Sequence, residues 1–331
     1  MMMAAALRRT SWCRSAAPPK QRTPRQRAIM AAAQRRTSWC SRSAAPRRRR
    51  LHDDTQPTER YYTVSEALQL GGVRYTCVPE CAAPISEPLK QMLWIKGIDA
   101  ARVVHPSDLF PYLRNDTEHA ELVRATSQSS WPVLWVHDER PRSCWLEQLE
   151  LVERIGAAGA PRLLPRGPAE HAETVGYIHL MMGERGLFWM RRLLHRPDMM
   201  QRKYAHEGDL EVAEARVLEL LRFFDGVLER QERNVVNSGR PGSKPVYLVG
   251  NSLSAADVYW AVGAAMLIIH PDQALVAADD QNAYNAEWRT SAEFLRGFQG
   301  QANEPFQAAI TDRLRLHQDM VIRTHCKHPL K

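Results

Sequence analysis

The apolar positions of this chain follow two different periods. From residue 73 to 156, short runs rich in β-branched residues alternate with stretches of helical spacing; beyond 169 only helical spacing remains. Val73-Arg74-Tyr75-Thr76-Cys77-Val78 predicts a strand closed by Pro79. After a loop from Glu80 to Pro84, Ser86 followed by Glu87 and Pro88 has the order of a helix start. Leu89, Met92, Leu93 and Ile95 then share one helical face, and Gly97 ends the helix. Ala101-Arg102-Val103-Val104-His105 predicts a second strand, completing a strand–helix–strand unit. Short helices are expected after Pro106-Ser107-Asp108 and Asn115-Asp116-Thr117. A third strand is expected at Val133-Leu134-Trp135-Val136, and a turn with a returning strand through His137-Asp138-Glu139-Arg140. Ser143 then caps a last helix with Trp145, Leu149, Val152 and Ile155 inward. The order is β-α-β-α-β-β-α over residues 73–156.

Residues 157–168, broken by Pro and Gly, read as a linker. The segment 169–331 is all-helical by its spacing, with helices expected over 171–195, 209–230, 286–299 and 305–324 and one more after Ser254. The last is the most specific local signal. In Gly250-Asn251-Ser252-Leu253-Ser254-Ala255-Ala256-Asp257-Val258, Ser254 and Asp257 stand in capping-box order. Leu253 and Val258 flank them as a hydrophobic staple, and an apolar run continues to Ile269.

Composition changes this picture mainly at the N-terminus. Of 45 Lys and Arg, 14 lie in residues 1–52, which contain no Asp or Glu; the remaining chain sets 31 bases against 37 acids, a net of −6. The formal charge of +8 is therefore no argument for nucleic-acid binding by the body. Residues 4–18 recur almost verbatim over 31–46, with Met30 between the copies as a second possible start besides Met1. An Arg/Ser/Ala-rich, acid-free segment reads as a disordered tail or as a transit peptide, mitochondrial or plastid; without that signal the chain would be cytoplasmic. No window reaches the roughly 18 apolar residues of a membrane span, so no membrane partner is expected. Cys77 and Cys81 form a Cys-x3-Cys without a second pair or a His cluster, and no metal site is expected.

The strand–helix order with Pro132 opening the third strand resembles a thioredoxin-type fold. Trp94-Ile95-Lys96-Gly97-Ile98 resembles the phrase ending the first helix of many glutathione transferases, and Trp131-Pro132-Val133-Leu134 resembles their cis-Pro segment. The capped, apolar helix after Ser254 resembles the core helix of their C-terminal domain. The chain over residues 73–328 is thus similar to a divergent branch of the cytosolic-type glutathione transferase superfamily. The fold class this implies is α/β plus all-α: a thioredoxin-like domain (73–156) followed by an all-helical domain (169–331), with a basic segment (1–52) ahead of both. The implied co-substrate is glutathione, the partners a small electrophile and a second copy of the chain.

The resemblance also locates the chemistry and what departs from it. The thiolate-activating position falls on Ala83, which has neither donor nor thiol. Cys81 and Ser86 are the nearest candidates for a catalytic role, against readings as a plain loop thiol and a plain N-cap. The glutathione-binding candidates are Trp131 and Pro132, through the backbone, and Arg142, Ser143 and Cys144 at a helix start, where N–H groups favour an anion. The acid that would pair with the ligand's ammonium is missing there. Met181, Met182, Trp189 and Met190 are read either as core or as an apolar substrate pocket, with Tyr177, Glu184 and Arg185 facing the cleft. Two functions follow: conjugation of glutathione to small electrophiles, or a catalytically inactive binding or assembly module on the same fold.

Overall fold

The structure, a computed structural model, describes residues 60–79, 83–106, 113–206, 208–237, 245–268 and 304–327. Cys81 and the helix expected over 286–299 lie outside the described residues, and residues 57–331 form one compact unit. The first lobe is built on a four-stranded sheet of β1 (Tyr61–Tyr62), β2 (Val73–Cys77), β3 (Ala100–Val104) and β4 (Leu134–Val136), in the spatial order β1-β3-β2-β4. β3 runs parallel to both β1 and β2, and β4 runs antiparallel to β2, with Tyr75 opposite Leu134. This is the expected thioredoxin-type arrangement with one addition.

That addition is β1 and α1 (Val64–Gln69), which lie ahead of the expected boundary at 73. A capping box made by Thr63 and Glu66 starts α1, with Thr63 N–H donating to Glu66 Oε2 at 2.9 Å. Alternation along the strands then divides the sheet's two faces. Val103, Val133 and Trp135 pack with Val64, Ala67 and Leu122, beneath α1 and α3 (Asp116–Thr126). Tyr75, Cys77, Leu134 and Val136 join the main core with α2 (Glu87–Ile95) and α4 (Trp145–Ile155). The expected strand after β4 is reduced to one bridge, Leu134 with Arg142. Beyond it the backbone is spent on the turn, where the Glu139 N–H donates to the Val136 carbonyl at 3.0 Å.

The second lobe is helical, as expected, but most of its helices are shorter than the spacing predicts. The stretch read as one helix over 171–195 is α5 (Pro168–Met182) and α6 (Leu187–His195), parted at Gly183 and Gly186, and Pro197 starts α7 (Pro197–Tyr204). α8 (Leu210–Asn237) runs longer than expected. α9 (Ala255–Gly263) is buried along its whole length and gives way to a 3₁₀ turn over Ala264–Met266, short of the predicted run. The last predicted helix is also divided, into α10 (Glu304–Gln307) and α11 (Asp312–His325). Thr311 caps α11 by accepting from the Leu314 N–H at 3.3 Å.

α9 is where the lobes meet: it packs against α2 from the first lobe and α5 and α11 from the second. The capping box at its start forms, and Asp257 does more than cap. Fully buried, its carboxylate accepts from Ser254 N–H (2.8 Å), Ser254 Oγ (2.7 Å), Leu248 N–H (2.7 Å) and His317 Nε2 (2.9 Å). Gly250 precedes the motif at φ +61°, and a Cβ there would meet Glu170 Oε1 at 2.9 Å.

Two further polar clamps tie the lobes. Lys96, at the end of α2, is buried and pairs with Glu153 at 3.3 Å while donating to the Pro161 carbonyl at 3.0 Å; Glu153 in turn accepts from Leu163 N–H. Gln91 exchanges hydrogen bonds with the backbone of Lys327, accepting at 2.7 Å and donating at 3.3 Å. The Lys-Gly-Ile phrase therefore has a structural use. Lys96 holds the linker, and Gly97 takes the left-handed conformation (φ +64°) that turns the chain out of α2.

Candidate functional site

The candidate site lies where β2 and β3 end and the chain enters the loop before β4. Trp131–Pro132 is a cis peptide, as the resemblance implied. Val133 closes the loop onto β2, donating to Thr76 Oγ1 at 2.8 Å while its carbonyl accepts from Thr76 N–H at 3.0 Å. Gln148, buried on α4, donates to the carbonyls of Pro132 (2.8 Å) and Arg142 (3.0 Å). One side chain thus holds the Pro132 loop beside the start of α4. The backbone N–H and carbonyl of Trp131 meet no partner among the described residues.

The predicted residues divide into those the loop brings together and those it does not. Trp131 and Pro132 meet Arg142 and the start of α4 through Gln148 and through the Leu134–Arg142 bridge. Ser143 does not cap α4. The N-cap is Cys144, without a side-chain bond, and both residues are exposed. The helix starts one residue late because Gln148 N–H takes the carbonyl of Cys144. Arg142 is turned away from the helix start. Its guanidinium pairs with Glu139 at 3.0 Å and donates to the Arg140 carbonyl. Glu139 is held below the usual carboxylate range by its hydrogen bond from Arg154 first, with Arg142 adding to it.

Ala83 is buried against Val78, Leu113 and Trp131, so the position opposite the free Trp131 backbone has no donor side chain. Ser86 stands at the N-cap of α2 but makes no side-chain capping bond, contrary to the plain capping reading. It is buried and lines a depression with Tyr61, Tyr75, Cys77, Val78, Glu87, Lys90 and Arg102, with room for about one water molecule; Val78 is shared with the wall packed against Trp131. Trp131 and Pro132 are not among that lining. The Met stripe is divided: Met181 and Met190 are core, while Met182 and Trp189 are partly exposed. Tyr177 is buried and bonded to Arg230 at 3.0 Å, and Glu184 is exposed and meets His206 at 3.4 Å. Arg185 is exposed.

Three residues at this loop were not singled out from the sequence for a site. Gln148 is a mid-helix amide whose partners are visible only in three dimensions. His105, one residue past β3, is 1% exposed and its ring lies 4.9 Å from that of Trp131. Burial, and then the charge of Lys203, holds its pKa down to about 3. Lys203, near the end of α7, places its ammonium 4.9 Å from the centre of the Trp131 ring. A polar residue directly before Pro106, in a run otherwise ending a strand, was the available signal for His105. Lys203 left none, because its closeness to Trp131 is set by tertiary packing. Among the described residues no group of three metal-ligating side chains forms, and no helix is long and apolar enough to cross a membrane.

No family model matches the sequence, and no curated protein matches it. Among solved structures, the chain is similar to yeast Ure2p in complex with glutathione, at 14% identity over 79% of this chain and 96% of that one, with a TM-score of 0.49. It is also similar to a delta-class glutathione transferase of Nilaparvata lugens, at 16% identity over 75% of this chain and 97% of that one, with a TM-score of 0.42. At these identities the likeness concerns the course of the chain and reaches no individual site residue.

Proposed function

We propose that the protein binds glutathione in an extended form along the loop at Trp131–Pro132, as a glutathione transferase-like protein. The observation that carries this reading is the pair of unpartnered Trp131 backbone groups beside the cis proline. A peptide ligand can satisfy both, as one more short strand does at an open edge. The apolar wall of Val78, Ala83 and Leu113 beside them suits the non-polar part of such a ligand.

Conjugation to a small electrophile would further require a lowered thiol pKa. Ala83 offers nothing toward it, Ser86 faces a different depression, and Arg142 is engaged by Glu139. These placements favour binding over transfer, so the inactive binding module is the second reading. Retention on immobilised glutathione, with elution by the free tripeptide, tests the binding. Clean flow-through would overturn it. Retention without any loss of glutathione thiol in the presence of a reactive aryl halide would leave the binding module standing and remove the transferase.

A further inference from the structure

His105, Trp131 and Lys203 form a corner whose polar atoms are left unmet among the described residues. Both ring nitrogens of His105 and the indole N–H of Trp131 are buried without a hydrogen-bond partner. Each such group forfeits about 1–3 kcal/mol, so a cluster of them in one place calls for an occupant. Among the described residues, Val78, Ala83 and Leu113 form the apolar wall packed with Trp131. Lys203 adds a full positive charge whose neighbours are two aromatic rings, Trp131 at 4.9 Å and Tyr204 at 5.7 Å. The helices carrying it are cationic throughout. Residues 187–204 contain four Arg and one Lys against the single acid Asp198, and Asp198 is paired with Arg196 at 3.3 Å.

We propose that this corner is a binding site for a small organic acid, whose carboxylate bridges the Lys203 ammonium and the N–H donors of Trp131 and His105 and whose apolar body lies along the Trp131 ring. A carboxylate has two oxygens to spread over donors on different residues, and its single charge matches one ammonium. A phosphate would bring about two charges to that one cation. Neutral His105 suits the role, because it donates from one nitrogen without adding charge. A lone water could meet some of these atoms, but it carries no charge to pair with the partly exposed Lys203 ammonium.

The site stands without the glutathione reading, although glutathione's own carboxylates are a second source of the same chemistry. The probe is benzoate, titrated into the full chain by calorimetry, with neutral benzamide as its isostere. Benzoate is expected to bind and benzamide to bind at least about tenfold more weakly. Lys203→Met should weaken benzoate about tenfold or more, with Lys203→Arg staying within about threefold of the original. Benzoate should also shift the ¹⁵N resonances of the His105 ring, which binding elsewhere would not do. Equal binding of benzoate and benzamide, no benzoate binding at all, or unchanged affinity in Lys203→Met would overturn the proposal and leave water as the occupant. S-methylglutathione titrated into the benzoate-saturated protein separates the sources. Displacement makes the peptide's carboxylate the natural occupant, and simultaneous binding makes it a second molecule. Benzoate bound with no response to S-methylglutathione would retain the corner while ending the glutathione reading.

Discussion

Asp257 is the most informative residue to remove. Its buried carboxylate accepts four hydrogen bonds, from two backbone N–H groups, one hydroxyl and the His317 ring. Asp257→Ala strands the Leu248 and Ser254 N–H groups, at about 1–3 kcal/mol each, and unpairs His317 as well. The Ser254 hydroxyl can rotate toward another acceptor, so it adds little. The expected loss is about 3–5 kcal/mol. Ser254→Ala removes one donor and leaves the carboxylate three, so about 1–2 kcal/mol is expected. Exposed Ser143, with no capping bond to lose, should change by less than about 0.5 kcal/mol when replaced by Ala. Because α9 touches helices of both lobes, the loss should appear as a shift of one cooperative transition. Urea midpoints at constant slope for the three variants provide the measurement. If Asp257→Ala and Ser254→Ala lie within about 1 kcal/mol of each other, the carboxylate is not the hub of this network, and the account of how α9 is anchored fails.

His105 makes stability depend on pH. Its folded pKa of about 3 lies below the unfolded value, so the unfolded chain binds the proton first as pH falls. From pH 7 to 5 this should remove about 2 kcal/mol of stability, and His105→Asn should flatten that part of the profile; parallel profiles would contradict its burial as a neutral ring. Lys96→Met leaves buried Glu153 with only the half-exposed Arg162, 3.9 Å away, and should cost about 2–4 kcal/mol, whereas Lys96→Met with Glu153→Gln should cost less than the two singles summed, read from denaturant midpoints. A chain starting at Asp53 should keep the thermal midpoint of the full protein, because residues 1–52 carry the composition of a targeting tail; a loss of several degrees would mean the tail packs on the body.

What was legible in the sequence is what local chemistry decides. The strand at 73–77, the helix ended by Gly97 and the Ser254–Asp257 box each carry their own signal within a few residues, and each forms. α1 carried a signal that went unread, the Thr63-x-x-Glu66 box, whereas β1, a strand of two residues, is too short for periodicity to reveal. The helix breaks at Gly183 and Gly186 were written in the sequence and were overridden there by a continuous apolar face. The site was far less legible. Arg142 and Ser143 have the right types for an anion at a helix start, yet Glu139 takes the guanidinium and the helix begins at Trp145. Competition of that kind is decided by which acid a turn delivers, and residue type alone does not contain it.

The residues that close the candidate site come from both lobes, and that has an energetic consequence. Trp131 and His105 belong to the sheet lobe and Lys203 to α7, and among the described residues the ammonium meets the first lobe here through an aromatic face. An aromatic ring is a modest partner for a cation, worth about 0.5–2 kcal/mol. A carboxylate between them would replace that contact with charge-assisted hydrogen bonds to both lobes at once. Occupancy would therefore stabilise the lobe junction itself, by RT ln(1 + [L]/Kd), in addition to filling the corner. The junction already has permanent clamps in the bonds from Lys96 and Glu153 to the linker at Pro161 and Leu163, at the far end of α2, and in Gln91–Lys327, at the C-terminus of α11. Those clamps hold the lobes without a ligand. That leaves His105, Trp131 and Lys203 free of the task of folding, whereas Asp257, which anchors α9, has its carboxylate satisfied several times over.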